Sequence, residues 1–141
     1  MMKRHPVSLA VLLALGVMSG AAMAQARNPY IVQLSGEPAA TYKGTVTGYT
    51  ATAPAPGTTF NSRSPAALAY GSYLDNLQLL VAATVPGAQI LARYGTVFNG
   101  FAAQLTDAEM ATLRANPQVV EVHPDLPRKL ETISTGGFLG L

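Results

Sequence analysis

The chain has no cysteine. That is compatible with export but removes the disulfides on which small exported domains often rely, so stability must come from packing alone. Histidine is almost as scarce, at His5 and His123 only. One histidine outside the leader and no cysteine cannot satisfy the usual spacing of a transition-metal site, so no metal and no cofactor is expected. The same scarcity works against nucleophilic catalysis, which needs an imidazole base within reach of an activated serine. His123 stands beside Pro124 at the end of a strand-like stretch, and no nucleophile motif of the Gly-Thr-Ser-Met-Ala kind occurs. Gly-rich phosphate loops are also missing: Gly136-Gly137 has no strand before it and no helix after it. These absences together predict a chain that is not an enzyme.

Residues 1–24 read as a secretory signal peptide. Lys3 and Arg4 give a charged start, Val7 to Val17 an apolar run, and Ala22-Met23-Ala24 the small-residue pattern before cleavage. The predicted scissile bond joins Ala24 to Gln25. The apolar run is shorter than the roughly 20 residues a spanning helix needs, and no later stretch replaces it, so no membrane association is expected once the leader is removed. The expected location is secreted or periplasmic.

Removing the leader also removes the excess of positive charge. Of nine basic residues Lys3 and Arg4 go, which leaves seven against seven acidic ones. Lys43, Arg63, Arg93, Arg114, Arg128 and Lys129 are scattered, with one adjacent pair, so they form no basic patch for nucleic acid or an anionic surface.

The rest of the chain divides into readable elements. Tyr30 to Leu34 suggests a strand. The stretch 35–63, rich in Thr, Ala, Gly and Pro, is expected to be a flexible surface insertion. Ser64 can cap a helix with Pro65 in its first turn; Ala66, Ala69, Tyr70, Tyr73, Leu77, Leu80 and Val81 form its predicted stripe, and Pro86-Gly87 ends it. Ala88 to Val97 is a predicted strand in which Ile90, Ala92 and Tyr94 alternate with Leu91 and Arg93, so that one set faces the helices and the other the open side. After Asn99-Gly100, Phe101, Ala103 and Leu105 alternate towards a core, with Ala102 and Gln104 opposite. Thr106 and Glu109 make a capping box that opens a second helix ending near Asn116-Pro117. Val120 and Val122 then mark a last strand.

This order, βαββαβ, predicts an α+β ferredoxin-like sandwich: a four-stranded antiparallel sheet with two helices on one face, preceded by the signal peptide. The other sheet face is left open. RNA-binding relatives of this architecture place aromatic and basic residues on that face, whereas Ala102 and Gln104 suit a protein partner.

The strand of Tyr30-Ile31-Val32-Gln33-Leu34, the run from Phe98 to Asp125 and the closing Phe138-Leu139-Gly140-Leu141 resemble the prodomain of subtilisin-type serine proteases and the first residues of the catalytic region that follows it. The resemblance implies a 25–125 inhibitor and folding-chaperone domain whose partner is a subtilisin-like serine protease, met in cis or in trans. It implies that the open sheet face packs on two surface helices of that protease. It also implies that the tail, 126–141, runs into the substrate cleft, with Arg128, Lys129, Leu130 and Glu131 in the cleft, Leu130 filling an apolar pocket, and a processing junction between Glu131 and Thr132. Family members place acidic groups just beyond the last strand to cap the protease helices, whose N-termini attract carboxylates. Asp125 keeps one such position. His123 departs at the other, and Glu121 lies two residues too early to replace it. Asp125 equally suits the organisation of a turn from Pro124 to Pro127.

Other readings stay open beside this one: a functionally dead remnant of a truncated protease precursor, and an unrelated exported ferredoxin-like protein-binding domain. A neighbouring protease gene and detectable protease binding discriminate among them.

Overall fold

The computed structural model describes residues 25–126. The leader up to Ala24 and the tail from Pro127 onward, including Arg128, Lys129, Leu130, Glu131 and Thr132, lie outside the described residues.

The elements are β1 (Asn28–Leu34), α1 (Pro65–Ala82), β2 (Gln89–Tyr94), β3 (Gly100–Leu105), α2 (Asp107–Arg114) and β4 (Val119–Pro124). The four strands form one antiparallel sheet in the order β2-β3-β1-β4. This is the βαββαβ arrangement expected of the sequence, with the first and third strands at the centre.

The core lies on one face of the sheet. Tyr30, Val32 and Leu34 from β1, Phe101, Ala103 and Leu105 from β3 and Val122 from β4 pack with Val81 in the last turn of α1, with Val85 in the turn after it and with Leu113 of α2. The period-two alternation of β1 and β3 is what gathers these side chains on one side. Thr106 caps α2: its hydroxyl accepts from Glu109 N at 3.3 Å and Glu109 Oε2 accepts from Thr106 N at 2.9 Å. Both bonds satisfy amides that a helix N-terminus would otherwise leave unpaired.

Two readings of the sequence need correction. The buried side of α1 is Ala67, Tyr70, Leu74, Gln78 and Val81, while Leu80 is 68% exposed. The helix carries apolar residues around most of its circumference, so the periodicity left its phase ambiguous. In β2 the pairing shifts between Ile90 and Ala92. Ile90 opposes Ala103 on the core side, but the extra residue, Leu91, reverses the alternation, so that Ala92 opposes Ala102 and Tyr94 opposes Gly100 on the other face.

Residues 35–63 carry no helix or strand, yet they build a second cluster. Tyr42 is fully buried and stacks on Tyr70 of α1 with ring centroids 3.5 Å apart. Its hydroxyl accepts from Val46 N at 2.8 Å, and Tyr70 Oη donates to Glu37 O at 2.7 Å. Burial, and then the nearby Tyr42, push the Tyr70 phenol up to about 12. α1 thus serves two cores, its first half holding the insertion and its last turns the sheet. Between them Gln78 Nε2 donates to Tyr94 O at 2.7 Å and Asn99 Oδ1 at 3.1 Å, and Asn99 Nδ2 donates to Ser35 O at 2.7 Å. These amides tie α1 to the turns that follow β1 and β2.

Candidate partner-binding face

The strand registers define the uncovered face row by row. Across β2, β3, β1 and β4, Ala92, Ala102, Ile31 and His123 are aligned, and beside them run Tyr94, Gly100, Gln33 and Glu121; a third row holds Gln89, Gln104 and Pro29. Side chains opposite one another in antiparallel strands share a face, so these rows form one surface behind the core. Among the described residues both helices pack on the other side, through Val81 of α1 and Leu113 of α2.

Small and uncharged groups occupy the middle. Ala102 and Gly100 carry almost no side chain, and Phe98 covers the glycine, its ring occupying the space a Cβ would need. Tyr94 rests edge-on against Phe98 with centroids 6.1 Å apart and is 41% exposed. One corner of the face is therefore aromatic. Charge is confined to β4, where Glu121 Oε2 and His123 Nε2 are 2.9 Å apart and half-exposed, an ion pair when the imidazole is protonated. A flat, mostly neutral sheet with an aromatic corner and an acidic margin offers neither the basic surface nor the central aromatic platform that single-stranded nucleic acid requires.

The sequence set Glu121 aside as too early along the chain. On a strand, residues two apart share a face, so Glu121 and His123 stand side by side. Tyr94 was missed as part of this surface because the bulge at Leu91 is not encoded in any residue pattern. Asp125 extends the ladder by one bond, its N–H donating to Pro29 O at 2.9 Å. Its side chain is exposed and makes no hydrogen bond among the described residues. Among the described residues Asp125 is the last with a backbone bond to the sheet, and Leu126 after it is 75% exposed. Gln25, the residue expected after leader cleavage, is the first described residue and is exposed. Among the described residues no group of three or more His, Cys, Asp or Glu side chains could hold a metal, and no helix is long and apolar enough to cross a membrane.

The chain matches the model of the peptidase inhibitor I9 family over residues 29–131. It is similar to the subtilisin-like protease SBT1.2 of Arabidopsis thaliana, 45% identical over 56 residues that cover 40% of this chain and 7% of the relative. The subtilisin-like proteases SBT2.5 and SBT2.6 of Arabidopsis thaliana are 30% and 34% identical over 115 residues, in each case 79% of this chain and 14% of the relative. The chain therefore spans a small fraction of the length of these curated relatives. No solved structure matches it.

Proposed function

The chain belongs to the peptidase inhibitor I9 family, the non-catalytic inhibitor domain of subtilisin-like protease precursors, and from that premise we propose that it binds a subtilisin-like serine protease through its open sheet face, blocks the substrate cleft with its tail and assists folding of the protease. The observation that carries this reading is the uncovered face of β2-β3-β1-β4, with Asp125 bonded to Pro29 O at the end of β4. An antiparallel sheet can leave one face to water, and a face of mostly uncharged groups costs less to cover with a partner than a charged one.

Geometry limits where the cleft can be. Glu131 lies six positions beyond Asp125, so an extended tail would reach about 20 Å from the end of β4. Within that distance residues 128–131 can add as a strand to the cleft edges by backbone hydrogen bonds, with Leu130 in an apolar subsite and the junction after Glu131 lying as a product would. Asp125, fixed by its own backbone bond, presents a carboxylate at the rim of the face where a helix N-terminus of the protease would receive it. Glu121, held beside His123, is a second carboxylate on the same strand and face.

Folding assistance follows from the same contacts. A surface that binds only the native arrangement of its partner stabilises that arrangement by mass action, and a preformed sheet relieves the slow assembly of long-range contacts. The partner is reached in cis or in trans. The domain acts outside the cytoplasm once the leader, 1–24, has been removed.

The test is inhibition of a panel of secreted subtilisin-like proteases by the purified chain, scored beside the recovery of active protease refolded with and without it. Slowed substrate hydrolysis is expected from at least one member, with no hydrolysis by the chain itself. Failure against every member, or intrinsic peptidase activity abolished by a Ser→Ala change, overturns the reading.

A further inference from the structure

We propose that Gln25 becomes the first residue of the exported chain and cyclises to pyroglutamate. The inference is independent of the inhibitory reading. It rests on the small-residue pattern Ala22-Met23-Ala24, on the glutamine that follows it, and on how the structure holds the residues immediately after.

Among the described residues the first that is anchored by its side chain is Arg27. Its guanidinium grips Glu109 of α2 with both nitrogens, Nη1 to Oε2 at 2.6 Å and Nη2 to Oε1 at 3.1 Å, and Nη1 also donates to Gln104 O at 3.3 Å. A bidentate pair of this kind fixes position as well as charge. Gln25 and Ala26 project beyond that anchor; both are exposed, and the amide of Gln25 makes no hydrogen bond among the described residues. They border a shallow groove with Asn28 and the first turn of α2 at Thr106, Asp107 and Ala108. A terminus created at Gln25 would thus stand two residues outside the anchored chain, with its side chain free to fold back on its own amine.

The chemistry needs no oxidant or second substrate. The α-amino nitrogen attacks Cδ of the same residue, a N–Cδ bond forms, the Cδ–Nε2 bond breaks, and Nε2 leaves as ammonia with the proton given up by the attacking nitrogen. The product is a five-membered lactam without charge. Loss of the ammonium removes a cation from beside the N-terminal turn of α2, where the helix dipole is positive. It also removes the free amine by which aminopeptidases engage a chain.

The experiment expresses the full chain in an exporting host, denatures the recovered protein in acid and examines the chymotryptic peptide that ends at Tyr30. The expected peptide starts at residue 25, is lighter than its unmodified form by one ammonia, and resists stepwise amino-terminal sequencing until treated with a pyroglutamate-removing aminopeptidase. The Gln25→Ala variant is expected to be readable from position 25 without treatment. A synthetic peptide of the same sequence, carried through the same steps, measures cyclisation during handling. A free amine on Gln25, a chain starting elsewhere, or a lactam no more abundant than in the synthetic peptide overturns the proposal.

Discussion

At the scale of single residues the tightest point of the sheet is Gly100. A methyl group there would run into the carbonyl oxygen of Val32 on the neighbouring strand and the ring of Phe98 above it, and the first of these is backbone that cannot turn aside. Gly100→Ala should therefore cost about 3 kcal/mol or more, which a urea midpoint would register. Gly71 in α1 is the opposite case, with nothing within 4 Å of its added Cβ. Gly71→Ala should stabilise the domain by about 0.5–1 kcal/mol, read as a higher urea midpoint, because alanine lowers the entropy lost on forming the helix. A further pair tests the two sheet faces. Phe101 is fully buried and Gln104 lies on the open side, so Phe101→Ala should cost about 3–5 kcal/mol, enough to unfold a small domain, and Gln104→Ala far less. Equal melts for these two variants would mean that the faces are reversed. Phe101 was legible because β3 alternates without interruption. The tyrosine stack was not: Tyr42 and Tyr70 are 28 positions apart, and nothing in a run of Thr, Gly and Pro marks one tyrosine as a core residue.

At the scale of elements, local chemistry was readable and phase was not. The capping box of α2 is written in four consecutive residues, and the structure has it as a reciprocal pair of bonds. The stripe of α1 and the face of β2 depend on packing partners and on a bulge, which single-strand patterns do not contain. The ion pair that locks α2 is also long-range, joining Arg27 to Glu109 across 82 positions. Gly87, in the turn before β2, leaves room for it, since a Cβ there would lie 2.8 Å from Glu109 Oε1. Burial alone would raise the Glu109 pKa, but the hydrogen bond from Thr106 N and the charge and bonds of Arg27 outweigh it and hold the carboxyl below its ordinary value. The stability this confers is fully present above the unfolded carboxyl pKa, about 4.3, and is lost as pH falls through the lowered folded value. Glu109→Gln keeps a capping side chain and removes the charge. Urea midpoints measured between pH 7 and pH 3 should fall less steeply for this variant than for the parent; parallel curves would show that the pair contributes nothing. Both sheet edges, meanwhile, discourage another strand: β2 is bulged at Leu91, and on β4 Arg114 Nη2 donates to Val122 O at 3.3 Å just ahead of Pro124. Edges treated in this way leave the face, not the rim, as the surface offered to a partner.

At the scale of the whole molecule the folded body and the tail should be separable, and the proposed inhibition depends on both. Every core residue from Tyr30 to Val122 belongs to the body, and among the described residues the last backbone bond that holds the chain to the sheet is that of Asp125. Truncation after Pro127 removes none of these, so its thermal melt should match the parent within about 0.5 kcal/mol, the range of changes remote from packed sites. Inhibition should suffer, because residues 128–131 would no longer occupy the cleft. If the tail supplies one contact of hot-spot strength, about 2 kcal/mol, the inhibition constant should rise about 30-fold. Leu130→Asp should act in the same direction by placing an unpartnered charge in an apolar subsite, whereas Thr135→Asp, beyond the junction, should change little. The complementary variant is on the face: Tyr94→Asp, at the exposed aromatic corner, should weaken binding while residues 128–131 remain intact. Inhibition constants and melts for these four variants apportion the binding. An unchanged constant after truncation would leave the sheet face as the whole binding surface and remove the tail from the mechanism. Loss through the tail with no effect of Tyr94→Asp would instead reduce the face to a scaffold that delivers a peptide to the cleft.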